Sequence, residues 1–448
     1  MSRPPSAARA LPVPAGRLSR LARLGSVASS AMGRAAVGAA MDLGRGTSPD
    51  LRRLLITPGN IGKLAEELAR MRGAAMKIGQ MISMDAGEVL PPELADVMAR
   101  LRDDAHFMPP AQLKKVLNAN WPADWLRSFE HFDVRPIAAA SIGQVHKARL
   151  KDGRVMAIKV QYPGVARSID SDVANVGALI RYSGLLPKGF DIAPYLEAAR
   201  EQLHEETDYR REGRCLAGYA ERLRGDERFV APRYYEDWSS DQVLAMSFEE
   251  GRPIEEVASL PEATRNAVAV DLIELFLREL LDWGEMQSDP NFANFRYDPA
   301  RERIVLLDFG ATRAMDRDLA LRYRDLVAAG LAGDPAAIGA AASGIGFLSD
   351  EVEPRHRDRI VGMIGMVFDA FRAAHEFDFA DTELTARMQA EGEALAREDF
   401  APPPVPIDAL YVQRKVGGLF LLSSKIGAKA PVAEMLSKWV EQSRAVAA

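Results

Sequence analysis

A lysine stands inside an apolar run, Val155-Met156-Ala157-Ile158-Lys159-Val160, and no other feature of this 448-residue chain restricts its folding as tightly. The run is short and rich in branched apolar residues, which reads as a buried strand. Such a strand carries Lys159 into the interior with its neighbours. An unpaired ammonium there costs several kcal/mol, so the fold must bring an anionic side chain to it.

Further along, Asp289-Pro290-Asn291-Phe292-Ala293-Asn294 is followed by Asp308-Phe309-Gly310 at the end of a second apolar run, Ile304-Val305-Leu306-Leu307. That run also reads as a buried strand, delivering Asp308 at its C-terminal end. A carboxylate, an amide five positions on and a second carboxylate form a minimal set for phosphoryl transfer. Asp289 accepts or orients a hydroxyl proton, while Asn294 and Asp308 hold magnesium against ATP phosphates. The bland alternative is an N-capping Asp289 and a turn at Asp308-Phe309-Gly310. Before the Lys159 strand, Ala138-Ala139-Ala140-Ser141-Ile142-Gly143-Gln144-Val145 stands where a kinase carries its glycine-rich loop. Ala138, Ala139, Ala140, Ser141 and Gly143 are therefore candidate nucleotide-binding residues. Small side chains let backbone approach phosphates, but alanine does not take the positive φ that glycine allows, so a stiffer loop is expected.

Two polar segments complete the constellation. Gly73, Lys77 and Gln80 fall at i, i+4 and i+7, on one face of an expected helix. Read by composition alone, Lys77 is a solvated lysine on an amphipathic helix. Glu205, Glu206, Asp208 and Glu212 crowd a helix expected near residues 193–222, and a charge run of this kind is usually a solvated face. On a continuous helix Asp208 and Glu212 share a face, with Glu206 about 120° from Glu212. Two faces can then serve two lysines.

These segments together resemble the UbiB-type atypical kinases, in particular the coenzyme Q branch, called the ADCK group in animals. The motifs that carry the resemblance are Lys77-Ile78-Gly79-Gln80, the alanine-rich Ala138 to Gln144 stretch, Lys159 in its strand, Glu206-Thr207-Asp208, Met286-Gln287-Ser288-Asp289-Pro290-Asn291, and Asp308-Phe309-Gly310-Ala311-Thr312-Arg313. The match continues through Arg414-Lys415-Val416-Gly417-Gly418 to Ala430-Pro431. The resemblance implies an α+β, protein-kinase-like two-lobed fold with an N-terminal helical extension over the active site. It implies that Glu212 pairs with Lys159 and that Glu206 and Asp208 face Lys77; a second metal position at Glu206 and Asp208 is the alternative. Lys77 and Gln80 would then fill the cleft where an ordinary kinase takes a protein substrate. Gln287-Ser288-Asp289 replaces the usual His-Arg-Asp, which keeps the carboxylate and weakens the case for ordinary protein phosphorylation.

Composition agrees with an enzyme of this size. A hydrophobic content of 48% supports a substantial core, and 27% charged residues is ordinary for a globular chain. The net charge of −6, with no dominant basic stripe, argues against nucleic acid as a partner. One cysteine excludes an intramolecular disulfide, and six histidines show no zinc-ligand spacing. No run of apolar residues is long enough for a membrane-spanning helix. Before Asp42 the chain carries six arginines and no acid. A mitochondrial presequence, an interfacial helix drawn to anionic lipid and a disordered basic tail all fit this segment. The expected organisation is a basic tail (1–50), a helical extension (51–130), a small lobe (131–250) and a mostly helical large lobe (251–448).

The resulting expectation is an Mg-ATP-binding atypical kinase or ATPase that supports ubiquinone biosynthesis at a membrane surface. It would act on or present isoprenoid quinone precursors, beside other coenzyme Q biosynthesis proteins. A small-molecule or protein phosphotransferase and an ATP-binding pseudokinase scaffold are the alternatives. The place expected is the cytoplasmic membrane surface in a bacterium, or the matrix side of the inner mitochondrial membrane in a eukaryote.

Overall fold

The computed structural model describes residues 74, 77, 78, 107–140, 142–182, 192–398, 400, 403 and 405–447. The basic tail, most of the expected helical extension, Gln80 and Ser141 lie outside these residues. Contacts divide the chain into two units. The first comprises residues up to Gly218 together with Pro232–Glu249, and the second comprises Tyr219–Ala231 and Glu250 onward.

The first unit is built on an antiparallel sheet. After helix α1 (Pro110–Asn120) come β1 (Phe129–Phe132), β2 (Ala138–Ala139), β3 (Gly143–Leu150) and β4 (Val155–Gln161). Helices α2 (Val165–Tyr182), α3 (Ala193–Glu206) and α4 (Tyr209–Arg222) follow; β5 (Phe229–Val230) belongs to the second unit, and β6 (Val243–Ser247) returns to the first. The strand order is β1-β3-β4-β6, with β2 also paired to β3. Lys159 therefore lies on an inner strand, opposite Val145 on β3 and Leu244 on β6. One face of the sheet is packed by Met156, Ile158 and Val160 against an aromatic group from α1, the following turn and β1. There Trp121 stacks on Phe129 at 5.6 Å, and Trp125 and Trp238 meet Trp121 edge-on.

The helix expected over residues 193–222 is two helices. α3 ends at Glu206, and α4 begins at Tyr209. The break has a local cause. Thr207 Oγ1 donates to the His204 carbonyl, and Asp208 Oδ1 accepts from the Arg211 amide at 2.8 Å. Short polar side chains thus satisfy the two helix ends that meet there.

The second unit contains β7 (Arg252–Pro253), α5 (Glu262–Leu277), β8 (Glu285–Gln287), β9 (Phe295–Asp298), β10 (Arg303–Leu306) and β11 (Thr312–Ala314). It continues through α6 (Arg317–Ala332), α7 (Pro335–Ile345), α8 (Pro354–Ala373), β12 (Phe377–Asp378), α9 (Glu383–Arg397), α10 (Ile407–Lys425), β13 (Lys429–Ala430) and α11 (Val432–Ala447). The apolar segment of α5 is a regular helix only to Leu277. It then widens into a π-helical turn, Arg278–Trp283, which stops at Gly284 with φ 61°. That left-handed value suits glycine. The short sheets β5-β10-β9-β7 and β11-β8 form at this end.

Candidate functional site

In the first unit the sheet and α4 meet the requirement set by Lys159. Its Nζ donates to both carboxylate oxygens of Glu212, at 2.9 and 3.0 Å. Both side chains are buried, with 7% and 2% of their surface exposed. A bidentate contact of this kind compensates the desolvation of both charges. Lys77, also buried, lies 2.6 Å from Glu206 Oε1. Asp208, the other acid expected to face Lys77, is exposed and caps α4 instead. The chain turns between Glu206 and Asp208, so the helical spacing that related them does not apply.

The alanine-rich stretch is a strand-turn-strand. Ala138 pairs with Val145 and Ala139 with Gln144, and the Ala140 amide donates to the Gly143 carbonyl at 2.9 Å. Ala138 and Ala139 are extended in β2, and none of Ala138, Ala139 and Ala140 has a positive φ. Gly143 has no positive φ either; its need for glycine is spatial. A Cβ there would lie 2.4 Å from the Val160 carbonyl oxygen, so strands β3 and β4 meet tightly at this point. A buried polar chain fixes the base of the hairpin. His146 Nδ1 lies 2.7 Å from the Asp133 carbonyl, which accepts and so makes Nδ1 the protonated nitrogen. His146 Nε2 then accepts from Gln144 Nε2 at 2.8 Å, and Gln144 Oε1 accepts from the Met108 amide at 2.7 Å. Burial pushes the His146 imidazole below its ordinary value, against the upward pull of the Asp133 carbonyl.

In the second unit two antiparallel ladders collect the remaining candidates. β9 pairs with β10 so that Phe295 faces Leu306, and the Leu307 amide donates to the Asn294 carbonyl at 2.9 Å. Asn294 therefore arrives beside the end of the strand that delivers Asp308. β8 pairs with β11 so that Gln287 faces Thr312, and both the amide and the hydroxyl of Ser288 donate to the Ala311 carbonyl. Asp289 consequently lies beside the Asp308-Phe309-Gly310 turn. Asn294 Nδ2 donates to the Asp289 carbonyl at 3.2 Å, and Asp308 Oδ1 accepts from the Gly310 amide at 2.9 Å. The first of these bonds ties the two ends of the Asp289–Asn294 segment together. It also turns Asn294 Oδ1 away from the Asp289 carbonyl.

The donor set suits magnesium. An amide oxygen and a carboxylate are hard oxygen ligands, and magnesium is commonly held by few protein groups together with substrate phosphates. Among the described residues no cluster of three or more His, Cys, Asp or Glu could hold a metal. An ion at Asn294 and Asp308 would thus take its other ligands from nucleotide and water. Sequence reasoning missed the support behind this loop, Glu279, Lys415 and Gly418. Its signal was present: Glu279 is an acid inside an apolar helix, the same contradiction that singled out Lys159.

The family model for the ABC1 atypical kinase-like domain matches residues 100–342. The yeast protein named Atypical kinase COQ8, mitochondrial (Saccharomyces cerevisiae), is 34% identical over 428 residues, covering 95% of this chain and 85% of that one. The chain belongs to the ABC1 atypical kinase family. A second member, rat Atypical kinase COQ8B, mitochondrial (Rattus norvegicus), is 36% identical over 427 residues, covering 93% of this chain and 79% of that one. Among solved structures, the Rv3197–erythromycin complex from Mycobacterium tuberculosis matches with a TM-score of 0.59 at 22% identity, over 81% of this chain and 90% of that one. That likeness speaks for the fold. The UbiB-type resemblance and the α+β, kinase-like fold drawn from the motifs hold, and as an ABC1 member the chain is an atypical kinase.

Proposed function

We propose that this protein binds Mg-ATP and uses it as an ATPase in coenzyme Q biosynthesis, acting on or presenting isoprenoid quinone precursors at a membrane surface. The observation that carries the reading is the convergence of Asp289, Asn294 and Asp308 through two strand ladders. Asn294 and Asp308 would hold the magnesium, which would supply charge neutralisation on the phosphates. Lys159, held by Glu212, contacts the α- and β-phosphates, and the Ala138–Gly143 turn approaches them with its backbone. Asp289 orients the attacking hydroxyl or water. Lys77 is anchored by Glu206; Gln80, expected on the same helix face, lies outside the described residues. The names of the COQ8 relatives support the pathway. Among the described residues no helix is long and apolar enough to cross a membrane.

Phosphate release by the purified full chain tests the reading, measured with and without liposomes and a phenolic quinone-precursor mimic. Faster release in their presence supports it. Nucleotide binding without phosphate release, under both conditions, points to the scaffold reading. A phosphorylated small molecule or protein recovered from the reaction points to the phosphotransferase reading, which the retained Asp289 carboxylate also serves.

A further inference from the structure

The Arg414-Lys415-Val416-Gly417-Gly418 motif has no part in nucleotide handling as described above, yet it lies in α10 directly behind the catalytic loop. Tyr411, Lys415 and Gly418 fall at i, i+4 and i+7, on one face of that helix. Each reaches a different part of the candidate site. Lys415 Nζ donates to the Gln287 carbonyl at 2.8 Å and lies 3.3 Å from Gln287 Oε1. Gly418 packs on Pro290 so closely that a Cβ would lie 2.1 Å from the proline Cβ. Gln287 and Pro290 bracket Ser288 and Asp289, so α10 grips the loop on both sides of the carboxylate. Tyr411 lies against Arg313 of β11, the guanidinium carbon 3.9 Å from the ring centroid.

The ammonium of Lys415 is held by Glu279, whose Oε2 lies 3.3 Å away; the two side chains are 3% and 1% exposed. Glu279 Oε1 accepts from the Tyr219 hydroxyl at 2.8 Å, and the Tyr219 ring packs on Phe309 with centroids 4.9 Å apart. One buried ion pair thus touches the catalytic loop through Lys415 and the Asp308-Phe309-Gly310 turn through Tyr219. The ammonium also sets the Gln287 amide, because flipping it would turn a donor toward Nζ; Gln287 Nε2 has no hydrogen-bond partner among the described residues. Stability alone gives little reason for such a pair, since apolar replacements of buried ion pairs are often neutral or stabilising.

We propose that Lys415, held by Glu279, is a positioning residue that fixes the Gln287 carbonyl and with it Asp289, and that Tyr219 links the same anchor to Phe309. The proposal rests on the ATP-using reading above. Burial pushes the Glu279 carboxyl up, opposed by Lys415 and Tyr219, while burial and Glu279 push the Tyr219 hydroxyl well up and keep it a donor.

The test compares full-length wild type with Lys415→Met/Glu279→Gln, which removes both charges together, with Gly418→Ala, and with Lys438→Met on an exposed position of α11 as control. Phosphate-release kinetics and amide hydrogen exchange are both measured. The double variant should lose about a hundredfold in kcat while its KM for ATP stays within about threefold, as expected for a displaced group near the chemistry. Exchange should accelerate at Ser288, whose amide bonds the Ala311 carbonyl, and at its neighbours in the 286–291 and 308–313 segments. Gly418→Ala should show the same selective pattern with the ion pair intact, and it decides the matter if the double variant does not fold. Wild-type kcat and exchange in folded variants overturn the proposal, as does a kcat loss accompanied by equally faster exchange throughout the chain. A wild type that releases no phosphate defeats the functional reading instead. The exchange measurement then still decides the positioning role: selective acceleration upholds it, and unchanged exchange overturns it.

Discussion

Removing one half of the Lys159–Glu212 pair should damage the protein in a way that removing both halves does not. The two groups are in bidentate contact at 2.9 and 3.0 Å and are almost wholly withdrawn from water. Glu212→Gln leaves the ammonium facing a neutral amide, and Lys159→Met leaves a carboxylate facing a thioether. Breaking a buried pair in this way costs about 3–5 kcal/mol. For a unit of this size a loss of 1 kcal/mol lowers the melting midpoint by roughly 2–4 °C, so each single variant should melt roughly 10 °C early. Lys159→Met/Glu212→Leu removes both charges and replaces them with apolar side chains. Its stability should return to within about 1–2 kcal/mol of wild type. Nucleotide binding should not return, because the cation proposed to meet the phosphates is gone. Urea or thermal unfolding of all three variants, beside calorimetric titration with Mg-ATP, separates the two effects. A double variant that binds nucleotide like wild type refutes the assigned role of Lys159. Singles that cost less than about 1 kcal/mol refute the claim that the pair is desolvated.

Two further outcomes are expected. Asp308→Asn should abolish the magnesium-dependent stabilisation by ATP, which at a hundredfold excess over Kd amounts to about 2.7 kcal/mol in wild type; an unchanged thermal shift removes Asp308 from the metal site. His146 is neutral in the fold and has an ordinary value of 6.5, so below that pH the unfolded chain takes up the proton more readily and stability falls as pH drops. In His146→Gln the slope of stability against pH below about 6.5 should flatten, and an identical slope in both proteins shows that another group titrates.

Of the buried charges, Lys159 was the one legible from its setting in the sequence. Lys159 in an apolar run announces a partner wherever the chain supplies one, and an acid on the following helices was the available choice. What periodicity did not show was the end of a helix. Thr207 and Asp208 interrupt a pattern that otherwise runs through both α3 and α4, and a break of two residues barely disturbs the spacing of apolar positions. The π turn at Arg278–Trp283 is hidden for the same reason, since one widened turn leaves the apolar content unchanged. The convergence of Asp289, Asn294 and Asp308 depends on strands three or four residues long. Runs that short fix neither partner nor register from composition. Lys415 was visible only as part of a motif, because its partners Glu279 and Gln287 lie far from it along the chain.

The aromatic packing beside the first sheet also has an optical consequence. The sequence has five tryptophans, of which Trp121, Trp125 and Trp238 belong to the first unit and Trp283 and Trp439 to the second. The indoles of Trp121 and Trp125 are 5.1 Å apart and inclined at 65°, and their ring N–H groups are held by the Trp238 carbonyl and Asn118. Fixed, closely spaced and non-parallel chromophores couple, so the near-ultraviolet dichroism of this protein should be dominated by the first unit. Loss of that signal follows the sheet of the first unit without any label. Far-ultraviolet dichroism, weighted toward the helices of the second unit, follows that unit. When the two transitions do not coincide, the lag between them measures how independently the units unfold.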